Sequence, residues 1–137
     1  MVENPLLIAI IDDDEIYQFT IIRIIKGILP SAKIVCFADG EEAIDYLTVN
    51  INVEANLPDL IFLDNNMPIM DGWQFMEEYS RIENEIKKKA LINMVSSSAN
   101  PVDIEKSKTI QQISEYIVKP IKTDKVKAII NHRISLL

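Results

Sequence analysis

Short apolar runs alternate along the chain with longer segments in which apolar residues recur at helical spacing. The runs lie at 6–11, 33–37, 59–64, 90–95 and 116–118. Continuous apolar runs of this length are typical of strands that are buried on both faces. The pattern predicts five β–α repeats, and therefore an α/β fold in which helices cover both faces of a parallel sheet.

The first helix is predicted over 15–29 and is expected to end before Pro30. Its apolar residues at helical spacing are Ile16, Phe19, Ile22, Ile25 and Leu29, with Ile21, Ile24 and Ile28 widening the stripe. Segment 49–58 has no clean periodicity, and we expect it to be a connection.

Capping residues place the remaining helices. Asp39 is expected to cap the second helix with Glu42 as its capping-box partner, and an apolar stripe over 75–86 indicates the third. Asn100 is expected to cap the fourth helix, and Thr123 the fifth. The inner face of the fifth helix is expected to comprise Val126, Ile129, Ile130, Leu137 and only the aliphatic stem of Arg133.

Length and composition are those of one domain spanning 1–137, with no effector domain expected after the last helix. The 137 residues are 48% hydrophobic, and the formal net charge is -7. An acidic chain is not expected to bind DNA directly, because DNA binding needs a basic surface. The first residues lack the features of a signal peptide, and no apolar run is long enough to cross a membrane. We therefore expect a cytoplasmic protein.

Polar residues follow four of the predicted strands at the point where each strand ends. They are Asp12, Asp13 and Asp14; Asp64, Asn65 and Asn66; Ser96, Ser97 and Ser98; and Lys119 with Pro120. Ligands of open parallel sheets bind beyond the carboxyl ends of the strands, so these groups are expected to share a pocket. Two carboxylates 4 Å apart repel by about 4 kcal/mol at an effective dielectric constant near 20. A bound cation would offset this repulsion.

These residue types suit magnesium-dependent phosphoryl transfer. Carboxylates, a backbone carbonyl and water are the ligands that Mg²⁺ prefers. An ionised aspartate can attack a phosphoryl group and form an aspartyl phosphate. A lysine and a hydroxyl can then stabilise the charge on the transferred phosphoryl oxygens.

Four segments together resemble the receiver domain of two-component response regulators. They are "IIDDDE", "PDLIFLDNNMPIMDGWQF", "MVSSSANPVD" and "YIVKPI", in this order along the chain and each at a strand end. The resemblance covers almost the whole chain. It implies a doubly wound, flavodoxin-like (CheY-like) sheet of five parallel strands in the order 2-1-3-4-5.

The resemblance implies a role for each polar position. Asp64 corresponds to the phosphoacceptor, and the ligands of Mg²⁺ (or Mn²⁺) would include Asp64 itself. Asp13 would ligate the metal directly, Asp12 would act mainly through water, and Asn66 would offer its backbone carbonyl. Segment 49–58 is longer than the family pattern leads us to expect.

The remaining positions correspond to the residues that read out phosphorylation. Ser96 would be the hydroxyl that follows the phosphoryl group, and Lys119 the cation that pairs with it. Tyr116 falls on the switch aromatic of the family. The resemblance also implies a cis peptide bond between Lys119 and Pro120, and an output surface formed by helix four, strand five and helix five.

The implied partners are a sensor histidine kinase or phosphotransfer protein as donor and an unidentified output protein. A phosphate sink and a pseudo-receiver that binds partners without phosphorylation are alternatives. A phosphohydrolase of the haloacid dehalogenase type is disfavoured because Ile16 stands where its signature needs threonine. A flavodoxin-like electron carrier is disfavoured because three aspartates after strand one would repel its phosphate.

Overall fold

The chain folds around a parallel sheet that carries helices on both faces. The computed structural model describes residues 5–137. In chain order, the elements are β1 (Leu7–Ile11), α1 (Glu15–Ile28), β2 (Lys33–Phe37), α2 (Gly40–Val49), β3 (Leu60–Asp64), α3 (Gly72–Ile82), β4 (Leu91–Ser96), α4 (Pro101–Lys108), β5 (Ile113–Val118) and α5 (Thr123–Ser135). The strand order is β2-β1-β3-β4-β5, and the neighbouring strands are parallel. The predicted doubly wound α/β fold of order 2-1-3-4-5 is confirmed.

The apolar runs of the central strands supply a separate core to each face. Even-numbered positions of β1 and β3 pack with α1 and α5, as in Ile8, Ile10, Leu60, Phe62, Ile21, Ile25, Ile129 and Ile130. Odd-numbered positions pack with α2 and α3, as in Ala9, Ile11, Ile61, Leu63, Ala43, Leu47, Phe75 and Tyr79. Each fully buried side chain of this size contributes about 1.5–3 kcal/mol. The carboxyl ends of β1 and β3 are therefore held by rigid packing from both sides.

Side-chain caps start α1 and α4, and the cap of α4 is the predicted Asn100. The carboxylate of Asp14 accepts hydrogen bonds from the backbone N–H groups of Ile16 and Tyr17. Asn100 accepts one from the N–H of Val102 at the start of α4. These bonds satisfy backbone donors that have no partner within a helix.

The capping box forms at a different helix from the one predicted. Asp39 caps α2 by accepting a hydrogen bond from the N–H of Glu42 at 2.9 Å. The reciprocal pair of bonds occurs at α3, where Asp71 and Gln74 each accept from the other's backbone N–H. Gln can complete such a box as well as Glu does, so the pattern at Asp71 carried the same signal.

The buried face of α1 differs from the predicted stripe. Ile16 and Phe19 are 79% and 62% exposed, whereas Ile21 and Ile25 are fully buried. Tyr17 packs against the same core cluster. So many apolar residues surround this helix that periodicity alone could not locate the centre of its buried face.

Three predictions about α5 are wrong. Lys122 occupies the capping position without a side-chain hydrogen bond, and Thr123 is the first helical residue. Leu137 is 82% exposed, beyond the end of the helix. Arg133 is buried together with its guanidinium, which bonds to Asp59, so more than its stem lies inside.

The last strand is twice as long as predicted. It spans Ile113–Val118 rather than 116–118, because β5 lies at the edge of the sheet and tolerates the polar residues Ser114 and Glu115. A register shift between Ile92 and Asn93 accompanies its pairing with β4. The strand β4 itself ends one residue later than predicted, at Ser96.

Two further segments differ in detail from the prediction. Helix α3 ends at Ile82, and Ile86 is buried in the turns that follow it. The connection 49–58 contains a short 3-10 helix, Glu54–Asn56, whose last carbonyl accepts a hydrogen bond from the hydroxyl of Tyr46 at 2.8 Å. The connection is therefore ordered structure rather than an open loop.

Candidate functional site

Four strand ends converge at one edge of the sheet. Asp12 follows β1, Asp64 ends β3, Ser96 ends β4 and Lys119 follows β5. In the register of β3 and β4, Asp64 pairs with Val95, so Ser96 lies one residue beyond it on the adjacent strand. The fold thus brings the predicted site residues to a common region.

The acidic residues form a compact cluster. Asp12, Asp13 and Asp64 each offer a carboxylate oxygen, and these oxygens lie within 4.8 Å of one another. Asp12 and Asp64 are buried, whereas Asp13 faces solvent. Asp12 is fixed further by the N–H of Asp14, which donates to its Oδ1 at 2.9 Å.

Lys119 extends its ammonium into this cluster. Its Nζ lies 2.8 Å from Oδ2 of Asp12 and 3.7 Å from Oδ1 of Asp64. Its backbone N–H donates to the carbonyl of Ser96 at 2.8 Å, which ties the two strand ends together. The predicted cis peptide bond between Lys119 and Pro120 is confirmed.

Burial and repulsion raise the pKa values of the two buried carboxyl groups of the cluster, Asp64 and Asp12. Burial, then the charge of Asp12, raises the pKa of Asp64 to about 6, although Lys119 and the N–H of Asn66 act in the opposite direction. Burial also raises the pKa of Asp12, outweighing its hydrogen bond with Lys119. Negative charge in the cluster exceeds what Lys119 neutralises.

The cluster fits a hard divalent cation. Mg²⁺ binds oxygen ligands and usually takes one or two carboxylates together with water. The three carboxylates of Asp12, Asp13 and Asp64 supply such oxygens from buried and exposed sides. Burial first, and repulsion between the carboxylates second, raise the pKa values of Asp12 and Asp64, and a bound cation would offset both effects. The contribution of the Asn66 carbonyl stays a prediction.

Ser96 and Tyr116 both contact the loop between β4 and α4. Ser96 is fully buried, and its Oγ accepts a hydrogen bond from the N–H of Ser98 at 3.1 Å. The hydroxyl of Tyr116 donates to the carbonyl of Ser98 at 2.7 Å. A movement of this loop toward Asp64 would therefore alter the hydrogen bonds of both side chains.

The loop after Asp64 depends on two glycines. A Cβ at Gly72 would lie 2.7 Å from the carbonyl oxygen of Asp64, and one at Gly40 would lie 2.9 Å from that of Met70. The N–H of Gly40 donates to this Met70 carbonyl at 3.1 Å. Close backbone approach thus couples the loop to α2 and α3.

Sequence reasoning missed two features of the site. The ring of Tyr17 lies 4.2 Å from Nζ of Lys119, a contact between distant segments that no local motif reveals. Ile69, in the loop after Asp64, has a φ of 67°, a conformation that a β-branched residue rarely adopts.

A family model for the response regulator receiver domain matches residues 8–131. The chain is a response regulator receiver domain. The receiver is therefore a domain of two-component signalling, as its four strand-end segments predicted. The matches do not favour the haloacid dehalogenase and flavodoxin alternatives.

Relatives of this receiver include regulators from several microorganisms. The "Probable methanogenesis regulatory protein FilR2" of Methanothrix harundinacea is 23% identical over 125 residues, which are 91% of this chain and 79% of that protein. A two-component response regulator from Cytophaga hutchinsonii is 25% identical, with a TM-score of 0.84 and coverage of 97% and 99% of the two chains.

A third relative was solved with small ligands and a partner. It is the CheX-CheY-BeF3-Mg²⁺ complex of Borrelia burgdorferi, 25% identical with a TM-score of 0.72, covering 96% of this chain and 88% of that one. Within residues 5–137 of this receiver, no helix is long and apolar enough to span a membrane.

Proposed function

We propose that Asp64 accepts a phosphoryl group from the phosphohistidine of a sensor histidine kinase or of a histidine phosphotransfer protein, in a reaction that needs Mg²⁺ or Mn²⁺. The observation that carries this proposal is the buried position of Asp64 beside two further carboxylates and the ammonium of Lys119. A negatively charged nucleophile next to a cation site is what attack on an anionic phosphoryl group requires.

Each residue has a defined part in the transfer. The pKa of Asp64 is about 6, so most of its carboxylate is ionised at pH 7 and can attack phosphorus. As the new O–P bond forms, the P–N bond to the donor histidine breaks and its electron pair stays on the imidazole. Asp12 and Asp13, with Asp64, would hold the metal ion, which supplies positive charge to the phosphoryl oxygens.

Lys119 and Ser96 would complete the pocket after transfer. The ammonium of Lys119 lies 3.7 Å from Asp64, close enough to exchange Asp12 for a phosphoryl oxygen. The hydroxyl of Ser96 would donate to another phosphoryl oxygen. The Borrelia burgdorferi relative supports the proposal only in that its CheY was solved in a complex with BeF3 and Mg²⁺.

Intact-mass spectrometry after incubation with acetyl phosphate tests the assignment of Asp64. With Mg²⁺ present, the wild-type protein should gain one phosphoryl group, and with the metal chelated it should gain none. Asp64→Asn should remain unlabelled, whereas Asp45→Asn, at an exposed aspartate of α2, should label normally. Labelling of Asp64→Asn at the wild-type rate would show that another residue is the acceptor.

We further propose that phosphorylation switches a protein-binding surface formed by α4, β5 and α5. Ser96 and Tyr116 share the loop partner Ser98, so a pull on Ser96 would release the hydroxyl of Tyr116 and let its ring turn inward. Amide exchange with and without beryllofluoride should then change over 101–120 in wild type and much less in Ser96→Ala. Changes confined to the loops around Asp64 would favour a phosphate sink instead.

A further inference from the structure

The ammonium of Lys119 has a third neighbour besides the two carboxylates. Its Nζ is 2.8 Å from Asp12, 3.7 Å from Asp64 and 4.2 Å from the centroid of the Tyr17 ring. The side chain of Lys119 is only 19% exposed. Cations are attracted to the negative face of an aromatic ring, and more strongly where water is excluded.

The ring of Tyr17 is held in place independently of Lys119. The backbone N–H of Tyr17 donates to the capping carboxylate of Asp14, which fixes the residue in the first turn of α1. The ring packs against the core cluster beneath α1 and α5. Its hydroxyl is buried and finds no hydrogen-bond partner within residues 5–137. Tyr17 therefore contacts Lys119 through its ring face, and its hydroxyl makes no hydrogen bond to the described residues that would fix the ring.

We propose that Tyr17 is the positioning residue for Lys119, holding the ammonium against its ring face between Asp12 and Asp64. This inference rests on the proposed phosphoacceptor function for its kinetic consequence. The contact itself is a property of the unphosphorylated protein.

The chemistry of the two kinds of contact explains why a ring suits this position. The hydrogen bond between Lys119 and Asp12 is directional, so it is strained or lost when the ammonium turns toward a phosphoryl oxygen on Asp64. Attraction to a ring face needs no donor–acceptor alignment and acts on a cation within about 6 Å of the ring centroid. Tyr17 thus keeps the ammonium inside the pocket during the exchange, instead of letting it swing into solvent.

Lysine-selective NMR on the metal-free, unphosphorylated protein tests the contact. The Cε protons of Lys119, assigned by their loss in Lys119→Arg, should be shifted upfield by the ring current of residue 17. The shift should persist in Tyr17→Phe and disappear in Tyr17→Leu and in Tyr17→Met. Leu and Met are similar in volume but differ in shape and flexibility, so an effect common to both variants follows from loss of the ring rather than from the fit of one replacement.

The rate of phosphoryl adduct formation with acetyl phosphate and Mg²⁺ tests the positioning role. Tyr17→Leu and Tyr17→Met should react about tenfold more slowly than wild type, which corresponds to about 1.4 kcal/mol. Tyr17→Phe should stay within about threefold of wild type. The matched control is Phe19→Leu, because Phe19 is an exposed aromatic of the same helix whose ring lies 5.6 Å from Arg23. This control should react at the wild-type rate.

Three results would overturn the inference. An unshifted Lys119 signal in wild type would mean that the ring contact does not exist in solution. Wild-type rates in both non-aromatic variants, with the shift lost, would mean that the contact does not position the lysine. A rate in Tyr17→Phe as low as in Tyr17→Leu would assign the effect to the hydroxyl. Should wild type take no phosphoryl group, the proposed function fails, and the lysine signal alone decides whether Tyr17 positions Lys119.

Discussion

The two ends of the sheet each bury an aspartate beside a cation, yet the two arrangements differ in charge balance. At the amino end, Oδ2 of Asp59 accepts a hydrogen bond from the N–H of Leu7 at 2.8 Å, and Oδ1 accepts one from Arg133 at 2.9 Å. Lys88 lies 3.4 Å away. Both carboxylate oxygens have partners, and the guanidinium of Arg133 neutralises the charge of Asp59.

At the carboxyl end the balance is reversed. Asp12 and Asp64 flank the ammonium of Lys119, Asp13 adds a third carboxylate to the cluster, and burial together with mutual repulsion raises the pKa of Asp64 to about 6. A buried ionic residue is therefore not by itself a functional site. A cluster with excess negative charge is expected to bind a cation. A neutralised pair with complete hydrogen bonding is expected to have a structural role.

The largest expected effect is on the neutralised pair. Arg133→Met would leave the carboxylate of Asp59 buried without the guanidinium, which donates one hydrogen bond to Oδ1 and another to the backbone carbonyl of Asp59. Removing one partner of a buried pair costs about 3–5 kcal/mol of the free energy of unfolding. Urea unfolding with and without Mg²⁺ measures it, and the loss should be the same in both conditions.

Two controls show whether charge is the cause. Asp59→Asn combined with Arg133→Met removes the stranded charge and should recover part of the stability. Arg81→Met breaks an exposed pair with Glu78 and should cost about 1 kcal/mol or less. Equal losses in Arg133→Met and Arg81→Met would contradict the contrast between the two ends.

Mg²⁺ should raise the free energy of unfolding by binding at the carboxyl end of the sheet and not at the amino end. Mg²⁺ at a hundredfold excess over its dissociation constant should raise the free energy of unfolding by about 2.7 kcal/mol. Asp13→Asn should lose most of this response and gain stability without metal, because one repelling charge is gone. Thermal melts over a Mg²⁺ titration measure both effects, and a melting temperature that ignores Mg²⁺ would refute the cation site.

The pH dependence should carry the sign of a raised carboxyl pKa. The native state retains the proton of Asp64 up to about pH 6, whereas the unfolded chain releases it near the ordinary value of 3.8. This stabilisation is complete below the ordinary pKa and is lost as pH rises through about 6. The full shift corresponds to about 3 kcal/mol, which partial solvation of the pocket lowers to about 2 kcal/mol.

Asp64→Asn cannot titrate at this position, and it isolates the effect. Without metal, the variant should gain about 2 kcal/mol relative to wild type between pH 4 and pH 7. Urea unfolding in a chelating buffer at several pH values measures the difference. A difference that stays flat, or that falls with rising pH, would contradict the raised pKa of Asp64.

The smallest effect concerns backbone strain beside the site. Ile69 is 73% exposed at a φ of 67°, so its side chain gains little from burial while its backbone is unfavourable. Ile69→Asn should raise the free energy of unfolding by about 1 kcal/mol, because Asn tolerates the left-handed region. Val53→Asn, at an exposed β-branched residue of a different loop, should not stabilise. Destabilisation by Ile69→Asn would show that Ile69 makes an essential contact.

Much of the fold could be predicted because its central strands are continuous apolar runs. The end of each strand also marks the edge of the sheet, so the positions of Asp12, Asp64, Ser96 and Lys119 followed from the chain alone. The strand β5 was underestimated because edge position permits polar residues such as Ser114.

What the sequence did not reveal were contacts that join distant segments. Arg133 is separated by 74 positions from Asp59, and a lone arginine on an apolar stripe is more often a surface residue with a buried stem. Tyr17 meets Lys119 only because α1 and the end of β5 flank the same pocket. Such pairs depend on the completed tertiary structure, which periodicity and capping signals do not encode.

The link between Asp59 and Arg133 also bears on how the chain matures on the ribosome. The strands β1 and β3 are synthesised before α5. The carboxylate of Asp59 therefore lacks its guanidinium partner, which lies 74 positions later in the chain, until α5 has been made. Until Arg133 emerges, closing the sheet would bury an anion without its main counter-charge. We therefore expect nascent chains that end before Arg133 to remain protease-sensitive and dependent on chaperones. The receiver should complete its folding only after this arginine has left the exit tunnel.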